Sequence, residues 1–173
     1  MCEHHHIDRR GFGSLALAAA GMLLVPAAAH AAKIRALAVT CIDYRFFNKD
    51  AAFVANELNL FKDADNVALA GAALAGVSNV FVKSKDAFWE QLGIAKKLHS
   101  IDTVVLIDHM ECGAYNAEFG KPDKPLTPAE EHAKHVEVIH AMAKLLHAQG
   151  YAVEGYLMPA NLRDCVEQIV IPK

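Results

Sequence analysis

The chain has 173 residues, 54% of them hydrophobic, with a formal net charge of −3. A mildly acidic balance leaves no electrostatic footprint for nucleic acid, and no basic amphipathic segment marks a membrane-surface helix. The length allows one domain with a substantial core once the leading segment is set aside.

That leading segment reads as an export signal. Arg9-Arg10-Gly11-Phe12 precedes an uncharged run from Gly13 to Val25, and Ala29-His30-Ala31 closes it with small residues. A basic start, a short apolar middle and an A-x-A end are the marks of a cleaved signal. The paired arginines resemble a twin-arginine address, which implies export of the folded protein to the periplasm. The apolar run is shorter than the roughly 20 residues a spanning helix needs, and no cysteine follows it to accept a lipid. Residues 1–31 are therefore expected to be removed, leaving residues 32–173 as one domain with no membrane span. His4 to His6 read as a polar lead-in.

The domain alternates strands and helices. Ile34 to Thr40 is an apolar, β-branched run that reads as a strand, and Ala51 to Leu58 has helical spacing. Asn66 to Ala70 is a short second strand, after which Gly71 and Gly76 bracket a small-residue turn. Phe88, Leu92, Ala95 and Leu98 make one apolar helical face within Asp86 to His99. Thr103 to Ile107 is a third strand without polar alternation, as a parallel strand covered on both faces requires. Beyond three spaced prolines, Thr127-Pro128-Ala129-Glu130 is a capping box opening a helix to Gln149, with Gly150 as its stop. Tyr151 to Met158 is a fourth strand, and Ala160 to Ile169 is read as a terminal helix. The predicted fold is a single α/β domain with a central, mostly parallel four-stranded sheet flanked by helices.

Two clusters carry the chemistry: Cys41-Ile42-Asp43-Tyr44-Arg45 follows the first strand, and His109-Met110-Glu111-Cys112-Gly113 follows the third. In open parallel sheets, sites gather beyond the carboxyl ends of strands. Two sulfurs, an imidazole and a carboxylate are ligands suited to a tetrahedral zinc site. A disulfide between Cys41 and Cys112 is the rival use of the sulfurs in an oxidising compartment. It would explain neither His109, Asp43 nor Arg45. A thiol-redox role is disfavoured, since no C-x-x-C is present.

C-x-D-x-R followed by H-x-x-C-G resembles the β-class carbonic anhydrases, over roughly Ile34 to Tyr156. The resemblance implies zinc held by Cys41, His109 and Cys112, with the fourth position taken by water or, in a resting form, by Asp43. It implies reversible hydration of CO2 to bicarbonate by zinc-bound hydroxide, and a homodimer or dimer-based oligomer. Arg45 would hold Asp43 in a bidentate pair, leaving the fourth position to water. Asp43 and Arg45 are thus the expected catalytic pair, and Cys41, Asp43, His109 and Cys112 the expected metal set. Hydrolysis of carbonyl sulfide or carbon disulfide at the same metal, or a non-catalytic zinc-binding domain, are the alternatives.

The chain departs from the family pattern at Asp108, where a glycine is usual, and in Leu69-Ala70-Gly71-Ala72, which lacks the usual Arg-Asn pair. No long helical arm is read ahead of the first strand. Asp108 is expected either to accept the imidazole N–H or to be a solvated strand end. His132 and His135, one helical turn apart, could share a metal or relay protons, but with His140, Glu131 and Glu137 they are read as a hydrated helix face, and Cys165 as a buried small apolar residue. Phe46, Phe47 and Phe53 are expected to pack in the core or at an interface. Alternation should turn Tyr44 away from the site.

Overall fold

The computed structural model describes residues 33–172; the expected export signal and the His4 to His6 run lie outside them. Five strands form one sheet: β1 (Ala36–Thr40), β2 (Ala64–Ala68), β3 (Thr103–His109), β4 (Ala152–Met158) and β5 (Glu167–Ile169), in the order β2-β1-β3-β4-β5. The first four run parallel, and β5 runs antiparallel to β4. Five strands replace the expected four, and the helix expected over Ala160 to Ile169 is a turn followed by this edge strand. The reason is local. Asn161 Oδ1 accepts the Arg163 N–H at 3.2 Å and the Asp164 N–H donates to the Asn161 carbonyl at 3.0 Å, so the segment closes as a turn. Val166, Ile169, Val170 and Ile171 are β-branched residues that favour extended chain. Paired with β4, the segment covers an otherwise open edge.

Period-two alternation sends the strand side chains into two cores. Leu37, Val39, Val104 and Leu106 face α2 (Val82–His99) and α4 (Pro128–His147), where they meet Phe88, Leu92, Ile139 and Met142. Ala36, Val105, Ile107 and Met158 face the other way, onto Phe46, Phe53 and Leu60 around α1 (Phe47–Ala52) and the π-helical turn Phe53–Glu57 that continues it. Phe46 and Phe53 are thus core residues as expected, whereas Phe47 is exposed.

The capping box of α4 forms as read: Thr127 Oγ1 accepts the Glu130 N–H, and the Glu130 carboxylate accepts the Thr127 N–H at 2.8 Å. At Gly155 on β4, a Cβ would stand 2.6 Å from Ile139 Cγ2, so only glycine lets α4 lie this close to the sheet. The small-residue segment Ala72–Gly76 is a buried 3₁₀ turn. A short helix, α3 (Gly113–Phe119), was not foreseen. Its 7 residues are too few to show a helical period. Among the described residues, no helix is long and apolar enough to cross a membrane.

Candidate metal centre

β1 and β3 are hydrogen-bonded neighbours, with Val39 opposite Leu106, so their carboxyl ends bring the two clusters together. Cys41 leaves the end of β1, His109 is the last residue of β3, and Cys112 is the extended residue that opens α3. All three are buried, and one donor atom from each lies within 4.8 Å of the others. Cys41 and Cys112 are not joined in a disulfide; both are free.

His109 is oriented by its neighbours. Its Nδ1 donates to the Met110 carbonyl at 2.9 Å, which leaves Nε2 as the lone-pair nitrogen facing the sulfurs. Phe46 stacks on the ring, with centroids 4.1 Å apart. The Cys41 sulfur accepts the Gly71 N–H at 3.4 Å, a contact that the left-handed Gly71 (φ 81°) delivers. A hydrogen bond from the Cys112 thiol, helped by the Gly71 N–H, outweighs burial and holds the Cys41 thiol well below its ordinary value. The same hydrogen bond, given up as Cys112 ionises, pushes the Cys112 thiol up, as does burial.

His109 Nε2 is buried and has no hydrogen-bond partner among the described residues. An orphaned imidazole nitrogen between two buried sulfurs fits a tetrahedral metal ion with one position left open. Those three residues would hold it.

Asp43 stands apart from the three. Its Oδ2 is 4.0 Å from His109 Nε2, and its carboxylate is gripped by Arg45 through Nη2 at 2.8 Å and Nε at 3.1 and 3.2 Å. The Arg45 backbone N–H adds a bond at 3.0 Å. Hydrogen bonding to the guanidinium lowers the Asp43 carboxyl to about 2. Arg45 also reaches the other cluster, donating to the Glu111 carbonyl at 3.0 Å and to its carboxylate at 3.2 Å. The dyad therefore ties the two loops together. Beside it, an open cleft of about 360 Å³ is lined by Asp43, Tyr44, Ala70, Cys112 and Ala114 among others. Tyr44 is on this cleft and 87% exposed, contrary to the expectation that it turns away; the chain turns at Asp43–Phe46, so strand alternation does not continue there.

Asp108 is neither of the alternatives read from sequence. It is fully buried and points to the opposite face of β3 from His109. Its Oδ1 accepts the Ala73 N–H at 2.9 Å, and its Oδ2 accepts Tyr115 O–H at 2.5 Å and His135 Nδ1 at 2.8 Å. His135 is correspondingly buried in α4, not on a hydrated face, whereas His132 is half-buried and bonded to Glu167 at 2.8 Å. Cys165 is exposed, because the turn and edge strand that replace the expected helix leave it outside the core. Glu131, passed over as part of a polar helix face, is buried and accepts the Cys112 N–H at 2.7 Å and the Glu111 N–H at 3.1 Å. The missed signal was periodicity: Glu131, His135, Val138, Ile139, Met142 and Leu146 form one inward stripe.

The chain is thus an α/β protein with a buried Cys–His–Cys group that could hold a metal ion at the carboxyl ends of adjacent parallel strands. The sequence profile of the family described as "Putative carbonic anhydrase" matches residues 31–169, and the chain belongs to that family. It is similar to two uncharacterized proteins, from Rickettsia bellii and Rickettsia conorii, each 27% identical over 133 residues, covering 77% of this chain and 80% and 70% of theirs. Among solved structures it is similar to a carbonic anhydrase from Glaciozyma antarctica (18% identity, TM-score 0.46, 79% of this chain and 82% of that one). It is also similar to the wild-type β-carbonic anhydrase CafD of Aspergillus fumigatus (17% identity, TM-score 0.49, 79% and 90%). At those scores the assignment rests on the family profile and not on these likenesses.

Proposed function

We propose that the protein is a zinc-dependent carbonic anhydrase, interconverting CO2 and bicarbonate. The observation that carries this reading is the buried Cys41–His109–Cys112 group with an orphaned Nε2, in a chain of a carbonic anhydrase family. In such a ligand set zinc supplies water ionised near pH 7. The protein's own residues do the rest. Arg45, by gripping the Asp43 carboxylate, would keep it from ligating the metal, and Asp43 would then accept a hydrogen bond from the nucleophile and orient it. Phe46 and the Met110 carbonyl fix the His109 ring. The Gly71 N–H stabilises charge on the Cys41 sulfur. Ala70 and Ala114 give the cleft apolar walls suited to a small nonpolar substrate.

The reading extends to the molecule's setting: residues 1–31 are an export signal, the working location is the periplasm, and the active form is a homodimer. Ile42 and Tyr44, exposed on the cleft, and Phe47, exposed on α1, support the dimer. Metal analysis with a stopped-flow CO2 hydration assay tests the central proposal. One zinc per chain and turnover that vanishes on chelation are expected. A fully loaded protein without hydration activity would refute it, as would stoichiometric zinc retained by Cys112→Ala.

A further inference from the structure

We propose that Glu131 is a positioning residue for the metal centre: its carboxylate holds the turn that presents Cys112, and through His135 it couples that turn to the β3 end bearing His109. The inference rests on the zinc reading above and goes beyond it by placing control of the site's geometry in α4.

The turn needs such a holder. Glu111 is a non-glycine residue at φ 60°, a conformation kept only where surroundings impose it. Cys112 opens α3 without any side-chain cap of its own. Glu131 meets both needs from another helix, accepting the two successive N–H groups of Glu111 and Cys112 at 3.1 and 2.7 Å.

Glu131 is itself anchored. It is only 4% exposed, and His135, one helical turn along with no exposure, faces it with Nε2 3.7 Å from Glu131 Oε1, an ion-pair distance for a charged ring that is too long for a hydrogen bond; that nitrogen has no hydrogen-bond partner among the described residues. The other ring nitrogen is 2.8 Å from Asp108 Oδ2, and Asp108 immediately precedes His109. Tyr115 of α3 donates to the same Asp108 oxygen, and its ring lies 3.6 Å from that of His135. Two buried carboxylates flanking one imidazole persist only in this paired arrangement, since removing one member strands another without a partner. The result is a closed circuit from α4 to the Cys112 turn, and from α4 through Asp108 back to β3. The same turn carries the Glu111 carbonyl that receives Arg45, so a shift there reaches the Asp43 dyad as well.

The test compares wild-type, Glu131→Ala and Glu131→Gln full-length chains by zinc dissociation constant, using chelator competition, and by the absorption bands of the cobalt-substituted protein. Loss of the holder should weaken zinc about 10- to 100-fold in Glu131→Ala, the usual scale for a group that orients a ligand, and shift the sulfur-to-cobalt bands. Glu131→Gln keeps an acceptor for the Cys112 N–H, so it should recover part of the affinity and still show shifted bands. A purely structural role would lower folding stability and leave the bands where they are. A folded Glu131→Ala with wild-type affinity and bands overturns the proposal; if that variant does not fold, wild-type bands in Glu131→Gln overturn it. Wild-type protein that binds zinc without hydrating CO2 would defeat the enzymatic reading alone, and wild-type protein that binds no zinc would defeat both.

Discussion

Arg45 makes more contacts across the site than any of the three expected metal ligands: three side-chain contacts with Asp43 and two with Glu111. An arginine fork so engaged sets where a carboxylate points, which a lysine could not do. Asp43→Ala should leave zinc bound while reducing CO2 hydration by about 10²-fold or more, the scale of a lost proton-acceptor in a transition state. Arg45→Ala frees the Asp43 carboxylate, 4.0 Å from His109 Nε2, to move onto the metal, closing the site. Steady-state kinetics beside zinc content checks both; undiminished turnover in Arg45→Ala would contradict the dyad. The dyad was legible in sequence because its members are two residues apart. The Glu131–Cys112 contact was not, because 19 residues separate the partners and a glutamate on a helix ordinarily faces water.

At the scale of elements, α4 is where sequence reading both succeeded and failed. Its start was legible because a capping box is a local device of four residues. Thr127→Ala should cost about 1 kcal/mol, read as a lower denaturation midpoint with an unchanged zinc site. Its inward face was misread because His132 and His135 were paired by type, when the helical period pairs Glu131 with His135 and leaves His132 outside. That buried histidine carries a pH signature. Burial alone would disfavour the charged ring, but Asp108 on β3 and Glu131 on α4 outweigh it and raise His135 from 6.5 to about 9, with Tyr115 on α3 as the third titratable neighbour. A raised histidine contributes stability that is complete below its unfolded value and disappears as pH climbs through the folded one. The stability gap between wild type and His135→Gln should therefore be widest below pH 6.5 and shrink towards pH 9. A gap constant across that window in urea titrations of the zinc-loaded proteins would contradict a charged His135.

For the whole molecule, the open question is what covers the cleft. Ile42 and Tyr44 stand exposed on it, and β2 is a parallel edge strand without an outer partner among the described residues. A second copy would relieve both. Light scattering at micromolar concentration should give twice the chain mass, and a fully active protein of single-chain mass would defeat the dimer.

What the amino-acid order determined by itself was whatever is written in local chemistry: apolar runs for β1, β3 and β4, the start of α4, and the two cysteine- and histidine-bearing clusters at the carboxyl ends of β1 and β3. Each depends on neighbours a few residues apart, so no knowledge of packing is needed. The tertiary structure decided the rest: the edge strand β5 where a helix was expected, the exposure of Cys165, the burial of Asp108 and His135, and the enlistment of Glu131. These turn on which side of an element meets another, and a polar residue enters a core only when a distant partner satisfies it there. That partner is a product of the fold, and local sequence does not contain it.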